Sequence, residues 1–258
     1  MNTLLMDIRR SFLSVGFITS VIGTCLIYFL GDWIDILWGR SDVLTYFFVS
    51  ISIGRVIQFT ILLSALPYTI SFCTDWNSKY IRPCIMRTGV NKYGWSKVVS
   101  CYLSGTMSVA LGSWLFIILL MFKFPLVSTS SQYYEACKNT MFGKFLIDGR
   151  HILYFAFRIH LLVMACGFFS VVGLYISTYL PNKFVALTSP FIVYYFLSQL
   201  GHELDLPWYL CVDLIIKGNF QLGGDLVNII YSTLLFAILT IFTGFLFVKG
   251  VRRRVSNG

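Results

Sequence analysis

The sequence predicts an all-α membrane protein with six transmembrane helices, and three observations carry that prediction. The chain is 57% hydrophobic and only 12% charged, with a mean hydropathy of +0.77, outside the usual composition of soluble domains. Its apolar residues fall in runs of about 17 to 25, the length a helix needs to cross the hydrocarbon. Its basic residues gather at one set of helix ends. Residues 1–258 read as a single membrane domain.

The first apolar run, residues 12–30, follows Arg9 and Arg10 in a short amphipathic start. It is too long for the h-region of a signal peptide, and Gly31-Asp32-Trp33 offers no small-x-small cleavage site. It is expected to be a retained span. The other spans are predicted at residues 54–73, 98–122, 159–180, 184–200 and 226–248. Residues 42–53 precede a full span and residues 206–216 are too short to cross, so each is expected to be an interfacial or re-entrant helix on the outer side. The polar stretch 123–150 between spans three and four is expected to be an outer loop.

An even number of spans puts both termini on one side. That side carries twelve basic residues (Arg9, Arg10, Lys79, Arg82, Arg87, Lys92, Lys97, Lys183, Lys249, Arg252, Arg253 and Arg254) and two acids, Asp7 and Asp75. The other side carries six basic residues and nine acids. The positive-inside rule then predicts cytoplasmic termini and accounts for the net charge of +9 without nucleic acid.

Ser96, Ser100, Ser104, Ser108 and Gly112 recur every four residues in span three, a stripe that lets another helix approach closely, within the subunit or between subunits. Pro67 and Pro190 lie inside predicted spans and should kink them. The seven cysteines form no Cys-x-x-Cys pair and have no histidine at zinc spacing, so no metal site is expected. Cys137 and Cys211 face outward in this topology, as a disulfide or as two thiols. No phosphate-binding Gly-x-x-x-x-Gly-Lys-Ser/Thr occurs, nor His-Glu-x-x-His, nor Gly-x-Ser-x-Gly. An enzyme is not expected.

Arg55 and Arg158 lie near the outer ends of their spans, where snorkelling to headgroups or contact with a substrate would account for them. Gln58, Tyr102 and His160 could add polar contacts to a path or bond to neighbouring helices.

The loop after span two is the most informative segment. Asp75 follows the span, residues 79–87 make a short amphipathic helix, Arg87-Thr88-Gly89 follows, Tyr93 lies four residues past that glycine, and Lys97 opens span three. This loop resembles the one between spans two and three in permease subunits of ABC transporters of the six-span exporter type, called type V. Ser78 stands where that family often has glycine. The layout is similar too: an amphipathic start, six spans, a tight basic turn at Pro181-Asn182-Lys183 and an outer re-entrant segment between spans five and six. A soluble motor must push on a membrane domain through something short and rigid. Here the segment from Lys79 to Arg87 offers Ile81, Ile85 and Met86 for packing and Arg82 and Arg87 for ionic contacts; the alternative is a basic loop that lies on anionic headgroups.

The resemblance implies a cytoplasmic coupling helix formed by that loop, with Asp75, Tyr93, Lys97 and Lys183 assisting. It also implies two ATP-binding subunits that hold ATP and Mg, a second permease subunit, identical or paralogous, and a bacterial cell membrane. An amphipathic peptide, bacteriocin or drug would be the cargo. The alternatives are an ion-gradient-driven carrier or channel, and a membrane protein that only docks a soluble partner.

Overall fold

The computed structural model describes residues 3–39, 41–52, 54–129, 131, 133–204, 207, 209–219 and 222–257, apart from the side chains of residues 202 and 257. Among them every regular element is a helix. In chain order these are α1 (Thr3–Phe12), α2 (Val15–Gly31), α3 (Trp33–Trp38), α4 (Val43–Ser52), α5 (Gly54–Ser64), α6 (Ser71–Asn77), α7 (Ile81–Thr88), α8 (Val90–Met121), α9 (Tyr134–Lys138), α10 (Gly143–Ile147), α11 (His151–Ile176), α12 (Lys183–Glu203), α13 (Val212–Lys217) and α14 (Asp225–Asn257).

Four of them, α8, α11, α12 and α14, are long and apolar enough to cross a bilayer. The number rises to six if α1 with α2, bent by 47°, and α4 with α5, also steeply bent, each make one span. The chain is a multi-pass membrane protein. At 1.5 Å per residue the 32 residues of α8 reach about 48 Å, well past a hydrocarbon layer of about 30 Å. Part of α8 therefore stands outside the apolar layer or tilts within it.

Local chemistry sets the breaks. At the α1–α2 bend the Ser14 hydroxyl accepts from the Phe17 N–H at 3.1 Å and caps α2. The same hydroxyl lies 3.2 Å from the Pro67 carbonyl, to which it donates. The span expected over 54–73 is not continuous: α5 ends at Ser64, residues 65–70 form turns around Pro67, and α6 begins at Ser71. Pro67 lacks the N–H that would continue the helix, and its carbonyl is held by Ser14 instead. Pro190, by contrast, lies within an unbroken α12.

The small-residue stripe of α8 is filled by the chain itself. Ser20 of α2 donates to Ser108 at 3.0 Å, and a Cβ on Gly112 would come within 2.7 Å of Thr24. The stripe is therefore a packing seam inside the subunit. Helix α11 is buried along most of its length, while α12 and α14 leave broad apolar faces outward, as lipid-facing helices do.

Loop contacts define two ends of the bundle. At the basic end Asn77 donates to the Pro181 carbonyl, Arg252 to Asn91 and Arg254 to the Tyr179 carbonyl. At the opposite end the Val43 and Leu44 N–H groups donate to the Pro125 and Leu126 carbonyls, and the Met141 N–H to the Gly218 carbonyl. The main apolar core runs through the bundle, and a smaller one built on Tyr68, Phe72, Ile81, Val98 and Phe247 sits at the basic end. Helix α13 lies where a re-entrant segment is expected, but residues 205, 206 and 208 of that stretch fall outside the described residues. No disulfide joins Cys137 and Cys211.

Candidate functional site

Beneath the basic end four charged side chains from three helices meet. Lys97 of α8 is 1% exposed. Its ammonium lies 2.8 Å from an Asp75 oxygen and 3.1 Å from an Asp7 oxygen. Arg10 of α1 reaches the other Asp75 oxygen at 3.2 Å. Tyr93 donates to Asp75 at 3.0 Å, Tyr68 and Ser96 donate to Asp7, and Lys97 donates to the Tyr68 hydroxyl at 2.9 Å. Lys97 also lies 4.8 Å from the centre of the Tyr68 ring. Two carboxylates and two cations neutralise one another, and Asp7, Asp75 and Lys97 each have added hydrogen bonds, which is what buried charges require.

This cluster fixes the segment above it. Helix α6 ends in a turn in which Lys79 has φ 58°, a conformation that favours glycine. The left-handed residue is thus Lys79 and not its neighbour Ser78. Helix α7 follows and is closed by Gly89 at φ 79°. Ile81 is buried in the smaller core, so it is not available to pack against a partner; this corrects the expectation from sequence. Ile85 is half-buried, while Arg82, Met86 and Arg87 are exposed, Met86 by 85%. Lys79 and Tyr80 are exposed at the start of α7, and Lys183 is exposed on the same end at the first turn of α12. A cavity of about 510 Å³ opens between α1, α7 and α8, bordered by Met6, Arg10, Tyr80, Pro83, Arg87 and Tyr93. Burial pushes the Cys84 thiol upward, against the opposing pull of Lys97.

Of the expected coupling residues, the structure brings Asp75, Tyr93 and Lys97 together inside and leaves Lys79, Arg82, Met86, Arg87 and Lys183 outside. Asp7, Arg10, Tyr68 and Ser96 complete the cluster and were not anticipated. One signal for the first was available: Asp7 and Asp75 are the two acids on a side with twelve basic residues.

The five residues considered for a substrate path do not converge. Arg55 is exposed and Gln58 half-buried. Tyr102 donates to the Met164 sulfur at 3.0 Å and His160 bonds to Thr233 at 2.9 Å, so both join neighbouring helices. Arg158 does not snorkel; it is 2% exposed and donates to the Lys217 carbonyl. None of the five borders the cavity at the basic end or the one near Asp42 and Lys123. Among the described residues no group of three histidines, cysteines or acids could hold a metal ion. In comparisons with known proteins, no family model, no curated protein and no solved structure matches the chain.

Proposed function

We propose that this chain is the membrane-spanning permease subunit of an ABC exporter of type V, with six spans and cytoplasmic termini, driven by separate ATP-binding subunits. The observation that supports it most is α7: a short helix that turns Arg82, Met86 and Arg87 outward while the buried Asp75 and Lys97, with the half-buried Asp7 and the half-exposed Arg10, tie its flanks to α1, α6 and α8. A push on such a helix reaches three elements at once, because the charges beneath it cannot separate without leaving one buried and unpaired. In this reading two ATP-binding subunits carry ATP and Mg, a second permease subunit completes the path, and the cargo is an amphipathic peptide, bacteriocin or drug expelled from a bacterial cell membrane.

The test is co-expression with the ATP-binding subunit encoded nearest to it, purification through a tag on this chain alone, and measurement of vanadate-sensitive ATPase activity. A stable complex whose activity falls at least several-fold in Arg82→Glu, Arg87→Glu is expected. Absence of any nucleotide-binding partner, with ion-gradient-driven movement of solute by the chain alone, would replace this reading with a carrier. The same exposed helix suits a membrane protein that only docks a soluble partner. Binding without nucleotide-dependent transport would favour that role.

A further inference from the structure

At the end of the bundle opposite the charge cluster, Arg158 is buried and, among the described residues, has no carboxylate partner. One guanidinium nitrogen donates to the Lys217 carbonyl at the end of α13, and the other, Nη2, meets no acceptor among the described residues. One helical turn earlier on α11 the Tyr154 hydroxyl, 1% exposed, also lacks a hydrogen-bond partner. The Cys137 thiol and the Thr140 hydroxyl are its polar neighbours. Three carboxylates of this end are committed elsewhere. Asp213 takes Tyr194 and Lys217, both at 2.8 Å, Asp42 takes Thr45 and the Ser128 N–H, and Asp225 takes the Phe142 N–H at 3.2 Å.

An arginine cannot shed its proton, so its charge persists when buried. A carbonyl supplies a partial charge and satisfies one N–H of five. Water would satisfy the hydrogen bonds and leave the charge uncompensated. The Tyr154 hydroxyl and the Cys137 thiol lie close enough to feel the Arg158 charge, each can donate, and both unpartnered atoms are closed to solvent. A small monatomic anion supplies the missing charge and accepts from several donors at once.

We propose that the Arg158 guanidinium and the Tyr154 hydroxyl form a buried halide site, occupied by chloride, that pins α13 and the turn before α10 onto α11. The anion faces the free Nη2, and Lys217 keeps its carbonyl bond to Nη1.

The experiment is thermal unfolding of the purified chain in nanodiscs, exchanged into sodium gluconate and titrated with chloride or bromide at constant ionic strength. A midpoint that rises and saturates along a one-site curve is expected. Tyr154→Phe should shift the half-saturating concentration at least several-fold, and Arg158→Met should abolish the dependence. Crystals grown in bromide should show an anomalous peak between Arg158 and Tyr154. Identical melting in chloride, bromide and gluconate, with no such peak, overturns the proposal and assigns the space to water. So does a halide dependence that Tyr154→Phe leaves unchanged. The wild-type titration and the bromide peak decide the matter even if Arg158→Met does not fold.

Discussion

Two buried cations stand at opposite ends of this bundle, and the chain treats them differently. Lys97 sits at the end that carries two acids, and both are spent on it. Arg158 sits at the end that carries nine, and among the described residues none forms an ion pair with it. The abundance of acids along the sequence therefore says little about where a buried charge finds its partner. What decides is which side chains the helices bring within reach. Asp7 reaches Lys97 because α1 folds back at Ser14 and lies along α8. Asp213, although on the very helix whose carbonyl Arg158 holds, is turned to Tyr194 and Lys217.

The largest expected effect follows from the paired side. Lys97→Met leaves two carboxylates at a buried site with only Arg10 to balance them, and removing one partner of such a pair costs about 3 to 5 kcal/mol. Denaturant unfolding in detergent micelles checks this. Adding Asp75→Asn and Asp7→Asn to Lys97→Met should recover a good part of the loss, because the residual charge goes with them. A Lys97→Met variant that unfolds like the wild type would show that the cluster does not tie α1, α6 and α8 together.

On the other side the same kind of truncation should cost less. Arg158→Met removes one bond to a carbonyl along with an uncompensated charge, and in halide-free buffer it is expected to cost about 1 to 2 kcal/mol. A loss as large as that of Lys97→Met would mean that Arg158 has a charged partner after all, and the contrast would fail. Gly218→Ala offers an independent handle. Gly218 has φ 63°, and a Cβ there would collide with the Arg158 guanidinium. The left-handed conformation alone costs an alanine roughly 1 kcal/mol, and displacing the guanidinium adds the loss of its carbonyl bond. Gly218→Ala in an Arg158→Met background should therefore cost less than in the wild type.

The helical, membrane-spanning character was legible from composition and run length because lipid requires every backbone group to be satisfied within a helix. The small-residue stripe of α8 was legible as a seam, since four-residue spacing fixes one face. Its partner, α2, was not, because spacing says nothing of what lies opposite. Pro67 and Pro190 show the limit more sharply. Both are prolines in apolar runs, yet one ends a helix and one sits within α12, where it lies against Gly173 of α11. For the candidate site, Asp75, Tyr93 and Lys97 stood out through their order around one loop. Asp7 joins the cluster across 61 residues of sequence from Tyr68 and 90 from Lys97, the groups it bonds. Only the fold of α1 against α8 makes them neighbours.

The smallest effect sharpens the contrast at the acid-rich end, where an unpaired carboxylate mirrors the unpaired guanidinium. Asp32, just outside α2, is 5% exposed and among the described residues has one side-chain partner, Ser50, which donates to it at 2.7 Å. Burial raises its pKa from 3.8 to about 6, with Ser50 opposing and Asp35 adding to the rise. A carboxyl whose folded-state value lies above its unfolded value binds its proton more tightly when folded. Its stabilising contribution is therefore complete at low pH and is lost as pH climbs from about 4 through about 6. The group is partly screened, so the change should stay under about 1 kcal/mol. Unfolding midpoints measured between pH 4 and 7 should fall across that window in the wild type by more than in Asp32→Asn. Equal slopes in the two proteins would mean that Asp32 ionises as freely as a solvated acid.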